Sequence, residues 1–233
     1  MQKLLEGVHR FQQREFGKYK EVFRRLSRDG QKPHTLFITC ADSRVVAELI
    51  TQSKPGDLFV IKNIGNIVPP AGADIGWNST GAGIEFAVEV LGVTDIVVCG
   101  HSQCGAIAAL MNPQSVDPQL KFLKNWITLA DPVRKTIERD YKHLEGGSDR
   151  LRAAEEENVL FAVEQLQAYP CVARKLQEES LRLHAWFFKI DTADLFGYDP
   201  EQRQFVLITE NSGVASTELP ANSPQLPLRL DRP

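Results

Sequence analysis

Cys40-Ala41-Asp42-Ser43-Arg44 and, further along the chain, His101-Ser102-Gln103-Cys104 decide how this sequence is read. Each follows an apolar run: Leu36, Phe37 and Ile38 before the first, Ile96, Val97, Val98 and Cys99 before the second. Short apolar runs bounded by turn-forming residues predict buried strands of a parallel sheet. Both motifs are therefore expected where a strand hands over to a helix, the edge at which open α/β sheets build their sites. If strands 35–40 and 94–99 are neighbours, Cys40, His101 and Cys104 converge. Two thiolates and an imidazole suit a soft divalent ion, and zinc with three protein ligands and one open corner is the catalytic arrangement. Alone, H-x-x-C is a weak signal and a single cysteine is more often a small buried apolar residue. The pairing of two motifs at two strand ends carries the reading.

Outward from these motifs the chain alternates helix and strand. Leu4, Leu5, Val8, Phe11, Phe16, Tyr19, Val22, Phe23 and Leu26 recur at helical spacing, with Gly17 dividing or kinking the segment. Its aromatic face is expected to pack on the domain body or on a partner subunit. A helix over 45–52 is stopped by Pro55-Gly56, a strand covers 58–61, and Gly65 to Gly72 form a breaker-rich loop. A helix over 83–91 is closed by Gly92 as a C-cap would close it. After strand 94–99 come helix 105–111 and a helical stretch over 118–144 interrupted at Pro132. Glu155-Glu156-Glu157 are expected to open the next helix, against the positive end of its dipole. Helix 172–179, strand 181–190 and an edge strand 204–208 complete the pattern. The alternation predicts an α/β fold with a mainly parallel central sheet flanked by helices. One domain is expected over 1–210, followed by a tail at 211–233 whose prolines (Pro220, Pro224, Pro227, Pro233) oppose regular structure.

With 233 residues, 42% of them hydrophobic, the chain can bury a real core. A net charge of −3 points to neither nucleic acid nor membrane as partner. No apolar run approaches the roughly 20 residues of a membrane span, and the Met1-Gln2-Lys3 start lacks the pattern of a secretory signal. Four cysteines in a chain this long do not form a disulfide framework, so reduced thiols and the cytoplasm are expected.

C-x-D-S-R followed by G-H-S-x-C-G, here Cys40 to Arg44 and Gly100 to Gly105, resembles the β-class carbonic anhydrases, closest to bacterial, cyanobacterial and plant-type members. Gln31-Lys32-Pro33, Gly56-Asp57-Leu58-Phe59-Val60 and Asn63-Ile64-Gly65-Asn66 support it, and the similarity runs to about residue 209. The resemblance implies one zinc per chain on Cys40, His101 and Cys104, and attack of a zinc-bound hydroxide on CO2 to give bicarbonate. It implies that Asp42 accepts a hydrogen bond from that hydroxide and that Arg44 holds Asp42 away from the metal. It also implies that Gln31, often reaching across a dimer, and the Gly105 N–H bind substrate. Homodimers or larger homo-oligomers (tetramer, hexamer, octamer) are implied, with N-terminal helices packing on a partner subunit, in the cytoplasm or a carboxysome. Two thiolates cancel the ion's charge, so activity is expected to rise into the alkaline range.

The pattern also departs from the family. Glu85-Phe86-Ala87-Val88 stands where members carry Glu-Tyr-Ala-Val, and Ala71 where plant members often have phenylalanine. A zinc-stabilised scaffold without turnover and a hydrolase of carbonyl sulfide or carbon disulfide are the alternatives, together with a Cys104 nucleophile activated by His101. Cys99 is a further ligand candidate, though a core position suits it better, and Ser102 either orients a thiolate or satisfies local backbone.

Overall fold

The computed structural model describes residues 1–72, 78–144 and 147–210. Trp77, to which the sequence assigns no role, and the expected tail at 211–233 lie outside the described residues. Two helices, α1 (Gln2–Arg10) and α2 (Phe16–Asp29), are joined by a wider helical turn at Phe11–Glu15, so the irregularity precedes Gly17. Gly30 ends α2 at φ 79°, a conformation glycine adopts without penalty. There follow β1 (Thr35–Cys40), α3 (Ala47–Thr51), β2 (Leu58–Asn63) and α4 (Ser79–Glu85), which continues as a wider helical turn over Phe86–Leu91 to Gly92. Then come β3 (Asp95–His101), α5 (Gly105–Met111), α6 (Lys121–Ile127), α7 (Asp131–Asp140), α8 (Gly147–Gln167) and α9 (Pro170–Gln177). Strands β4 (Arg182–Lys189), β5 (Asp194–Asp199) and β6 (Gln204–Leu207) close the described chain. Pro132 does divide the 118–144 stretch, because it stands in the first turn of α7, where its missing N–H costs nothing.

The sheet has six strands in the order β2-β1-β3-β4-β5-β6. The first four are parallel and β5 and β6 are antiparallel, with β6 at the edge as expected. β5 escapes a reading by apolar runs, since Asp-Leu-Phe-Gly-Tyr-Asp is half polar and only half-buried. On one face Leu36, Ile38, Ile96, Val98, Leu183 and Ala185 meet α8 through Val159 and Val163. Each of the larger side chains among them, fully buried, contributes about 1.5–3 kcal/mol. On the other face Phe37, Val97, Cys99 and Phe188 pack with Val45 and Ala47. Neither α1 nor α2 fully buries a residue: Leu26 of α2 lies against Gly56, while Leu4, Leu5 and Val8 of α1 stay exposed.

One expectation is overturned. Glu155, Glu156 and Glu157 do not open a helix: α8 begins at Gly147, its first-turn acid is Asp149, and the three glutamates lie deep within it at 3%, 2% and 2% exposure. The middle of the helix is enclosed by the sheet and by neighbouring helices, so even the polar residues there are interior. Each glutamate has a donor, as buried carboxylates require. They are the Cys104 N–H for Glu155, Arg152 Nε for Glu156 and the Tyr141 hydroxyl for Glu157.

Candidate metal centre

β1 and β3 are adjacent and in register, Thr39 opposite Cys99, so Cys40 and His101 leave the same edge of the sheet. α8 presses on β3 there: a Cβ on Gly100 would collide with Val159 Cγ2. Gln103 turns the chain in the left-handed region at φ 58° and brings Cys104 to the cap of α5. Cys40 Sγ and Cys104 Sγ are 3.9 Å apart, and with a His101 ring nitrogen all three donors lie within 4.8 Å of one another. All three residues are buried. His101 Nδ1 is 2.9 Å from the Ser102 carbonyl oxygen. A carbonyl can only accept, so Nδ1 carries the proton and Nε2 presents its lone pair. That atom is buried and has no partner within the chain. A buried orphan acceptor pointing where two thiols also point is the mark of a cation site, and its donors fit zinc.

The two thiols resist ionising together. Cys40 is held down to about 4, first by the Cys104 thiol and then, against burial, by His101 and the backbone N–H groups of Asp42 and Gly65. Cys104 is pushed up, because losing its proton would place a second thiolate beside Cys40. Burial draws the His101 pKa down, but the nearby Cys40 sulfur, the Ser102 carbonyl and the Asp42 carboxylate outweigh it and leave the ring raised. A divalent cation resolves that conflict by replacing the protons.

A second turn closes around Cys40. Gly65 N–H reaches its sulfur at 3.4 Å, and Gly65 is at φ 77° with Ala106 Cβ only 3.0 Å from where a side chain would begin. Asn158 Nδ2 donates to Gly65 O at 2.9 Å and Trp126 Nε1 to Ile64 O at 2.7 Å. The sequence shows Gly65 as a loop breaker and within a segment that supports the family resemblance, and gives no sign of Asn158 or Glu155 at this site, since both come from the interior of a distant helix.

Asp42 and Arg44 pair as expected. Asp42 Oδ1 accepts from Arg44 N (2.9 Å) and Nε (3.0 Å), and Oδ2 accepts from Nη2 (2.8 Å). Those bonds, outweighing some desolvation, hold the carboxyl far below the usual carboxylate range. Oδ2 stands 3.9 Å from His101 Nε2. Arg44 Nη2 also donates to Gln103 O at 3.2 Å, and Lys62 Nζ holds the carbonyls of Asp42 (3.2 Å) and Val45 (2.7 Å). Gly105 directly follows Cys104 and borders open space.

Other candidates lie elsewhere. Residue 34 sits at the far edge of the sheet, its N–H bonded to Asp57 O and its carbonyl to Thr94 N. From there the chain runs roughly 20 Å to Cys40, and three residues can retrace at most about 11 Å. Exposed Gln31 is therefore not brought to the cluster of its own chain. Cys99 faces the opposite side of the sheet among Phe37 and Phe188, its thiol pushed up to about 12 by burial, and is not part of the cluster. The Ser102 hydroxyl accepts from Ile190 N–H at 3.0 Å, which ties the turn to the end of β4. Phe86 lies half out of the protein with its ring against Phe59.

Residues 35–195 match the carbonic anhydrase family. Carbonic anhydrase of Synechocystis is 41% identical over 206 residues, 88% of this chain and 74% of that protein. Carbonic anhydrase of Pseudomonas aeruginosa is 41% identical over 214 residues, 92% of this chain and 94% of that one. The solved structure of the beta-carbonic anhydrase CcaA superposes with a TM-score of 0.85 at 39% identity, covering 91% of this chain and 93% of that one. A tetrameric beta-carbonic anhydrase of Sordaria macrospora superposes at 0.74 with 30% identity, over 84% of this chain and 95% of that one.

Proposed function

The chain belongs to the β-class carbonic anhydrases, enzymes of reversible CO2 hydration, and on that premise we propose that Cys40, His101 and Cys104 hold one zinc ion per chain. The observation that carries the assignment is the unpartnered His101 Nε2 facing two thiols. Zinc bound there supplies Lewis-acid activation of water, a nucleophile at ordinary pH.

The remaining work belongs to side chains. Asp42, kept ionised by Arg44, is an acceptor 3.9 Å from His101 Nε2 and would orient the attacking water by its proton. Arg44 engages both carboxylate oxygens and so keeps Asp42 from swinging in as a ligand. The Gly105 N–H at the start of α5 is the donor for a substrate oxygen. Gln31, at the far edge of its own sheet, serves the site of a partner subunit.

Residues 1–210 form one domain with 211–233 as a tail, and the chain assembles as a homodimer or larger in the cytoplasm. Support for assembly comes from exposed Leu4, Leu5, Val8 and Phe11 on α1 and the turn that follows it. It comes also from a groove of about 910 Å³ on the sheet face opposite α8, lined by Phe37, Val97 and Trp186. Among the described residues no helix is long and apolar enough to cross a membrane. Stopped-flow CO2 hydration with metal analysis tests the reading. One zinc per chain, activity lost on chelation and restored by zinc are expected; full activity without metal would overturn it. Sedimentation of the full chain is expected to show a dimer or larger, and a monomer would refute the assembly.

A further inference from the structure

One peptide unit beside the metal centre is held at both ends. The amide joining Gln103 to Cys104 gives its N–H to Glu155 Oε1 at 2.6 Å, while its carbonyl accepts from Arg44 Nη2 at 3.2 Å. The same Nη2 donates to Asp42 Oδ2 at 2.8 Å. Glu155 comes from the middle of α8, is 3% exposed, and has no Lys or Arg within ion-pair distance among the described residues. A carboxylate buried without a cation is a costly way to fill space. A leucine would pack there without that cost, so the acceptor it offers is what distinguishes the glutamate. Gln103 is also in the left-handed region, where a non-glycine residue persists only when its surroundings hold it.

We propose that Glu155 is a positioning residue for the reaction: by gripping the Cys104 N–H it orients the peptide that docks Arg44, and through Arg44 it keeps Asp42 off the open corner of the metal. The relay rests on the zinc site proposed above, but its links are bonds within the chain. Glu155 touches neither substrate nor metal, and it acts on the dyad by way of backbone. A purely structural glutamate would lower stability when removed and leave Asp42 where it is.

The test uses the full chain loaded with cobalt, whose visible spectrum reports the ligands and their geometry whether or not turnover occurs. Variants are Glu155→Gln, Glu155→Leu, Arg44→Ala and the double variant Glu155→Leu with Arg44→Ala. Glu155→Gln keeps an acceptor oxygen and is expected to keep the parent spectrum. Glu155→Leu is expected to bind one cobalt and shift the bands in the direction of Arg44→Ala. Added to Arg44→Ala it should shift them no further, because residues in one relay are not additive. In zinc enzyme, turnover should fall about 10-fold or more for Glu155→Leu at unchanged metal content. A parent spectrum in Glu155→Leu, or shifts that add in full, would overturn the proposal. If Glu155→Leu does not fold, amide exchange decides: Arg44→Ala should speed exchange of the Cys104 N–H, and unchanged exchange overturns the relay. A parent chain that binds cobalt but does not hydrate CO2 would sink the functional reading alone, since the spectra still judge Glu155.

Discussion

At the amino-terminal edge of the sheet His184 Nε2 lies 2.8 Å from Asp95 Oδ1, and Arg182 bonds both oxygens of the same carboxylate. At the carboxyl edge Asp42 and Arg44 make the same kind of pair, yet His101 Nε2 stays 3.9 Å from the carboxylate and without a partner. The side-chain types are the same, and the outcomes differ by which groups are satisfied. Around Asp95 the histidine Nε2 and the arginine both spend their protons on one carboxylate. Around Asp42 the arginine engages both oxygens while the imidazole Nε2 stays out of hydrogen-bond reach, free to meet two thiols. The open site is thus made by the distance at which the backbone holds the histidine from its aspartate, 3.9 Å against 2.8 Å.

Breaking the carboxyl edge should have the largest effect. Cys40→Ser, His101→Ala or Cys104→Ser should abolish stoichiometric zinc and lower CO2 hydration by about 10³-fold or more, while His184→Ala at the other edge should leave metal content unchanged. Metal analysis beside stopped-flow rates checks both, and equal loss at the two edges would contradict the comparison. Arg44→Ala should retain zinc but reduce turnover about 100-fold as Asp42 is released. Arg182→Ala, which removes a half-exposed partner, should leave turnover alone and cost about 0–1 kcal/mol of stability.

Gly100→Ala probes what supports the site from below. The added methyl meets Val159 on α8, and overpacking of this kind costs about 1–3 kcal/mol. Thermal melts should show the loss, with weaker zinc retention because His101 is the next residue; an unchanged melt would mean that α8 yields freely. The smallest effect concerns acid. Asp95 feels burial raising its pKa, but bonds from Arg182, His184 and Thr94 prevail and leave it lowered. A depressed carboxylate stabilises the fold in full above its unfolded pKa of about 3.9, and that contribution fades as pH falls through the lower folded value. Asp95→Asn should therefore flatten the acid limb of a melting-temperature profile below about pH 4, and an unaltered limb would count against it.

Much of this was legible in the chain. The apolar runs around Phe37 and Val97 are plainly bounded by turn-forming residues. Those two strands, the helix at 105–111 and the edge strand at 204 accordingly stand where periodicity puts them. The cysteines and histidine announced a site that could hold a metal because their donor types are rare together. β5 was not legible, since a short half-polar strand in a hairpin has neither an apolar run nor clean alternation. Glu155 misled for a physical reason: adjacent acids are usually solvated, and only enclosure of α8 makes them interior.

Sequence alone determined the donor set, the Asp-Arg pair and the strand-to-helix handovers that carry them, because these depend on residue type and short-range pattern. The tertiary structure decided which histidine nitrogen is left open, that Cys99 turns away, that Gln31 stands at the far edge, and that a buried glutamate grips the turn between ligands. Those facts depend on which surfaces face one another after packing, and no local pattern encodes that.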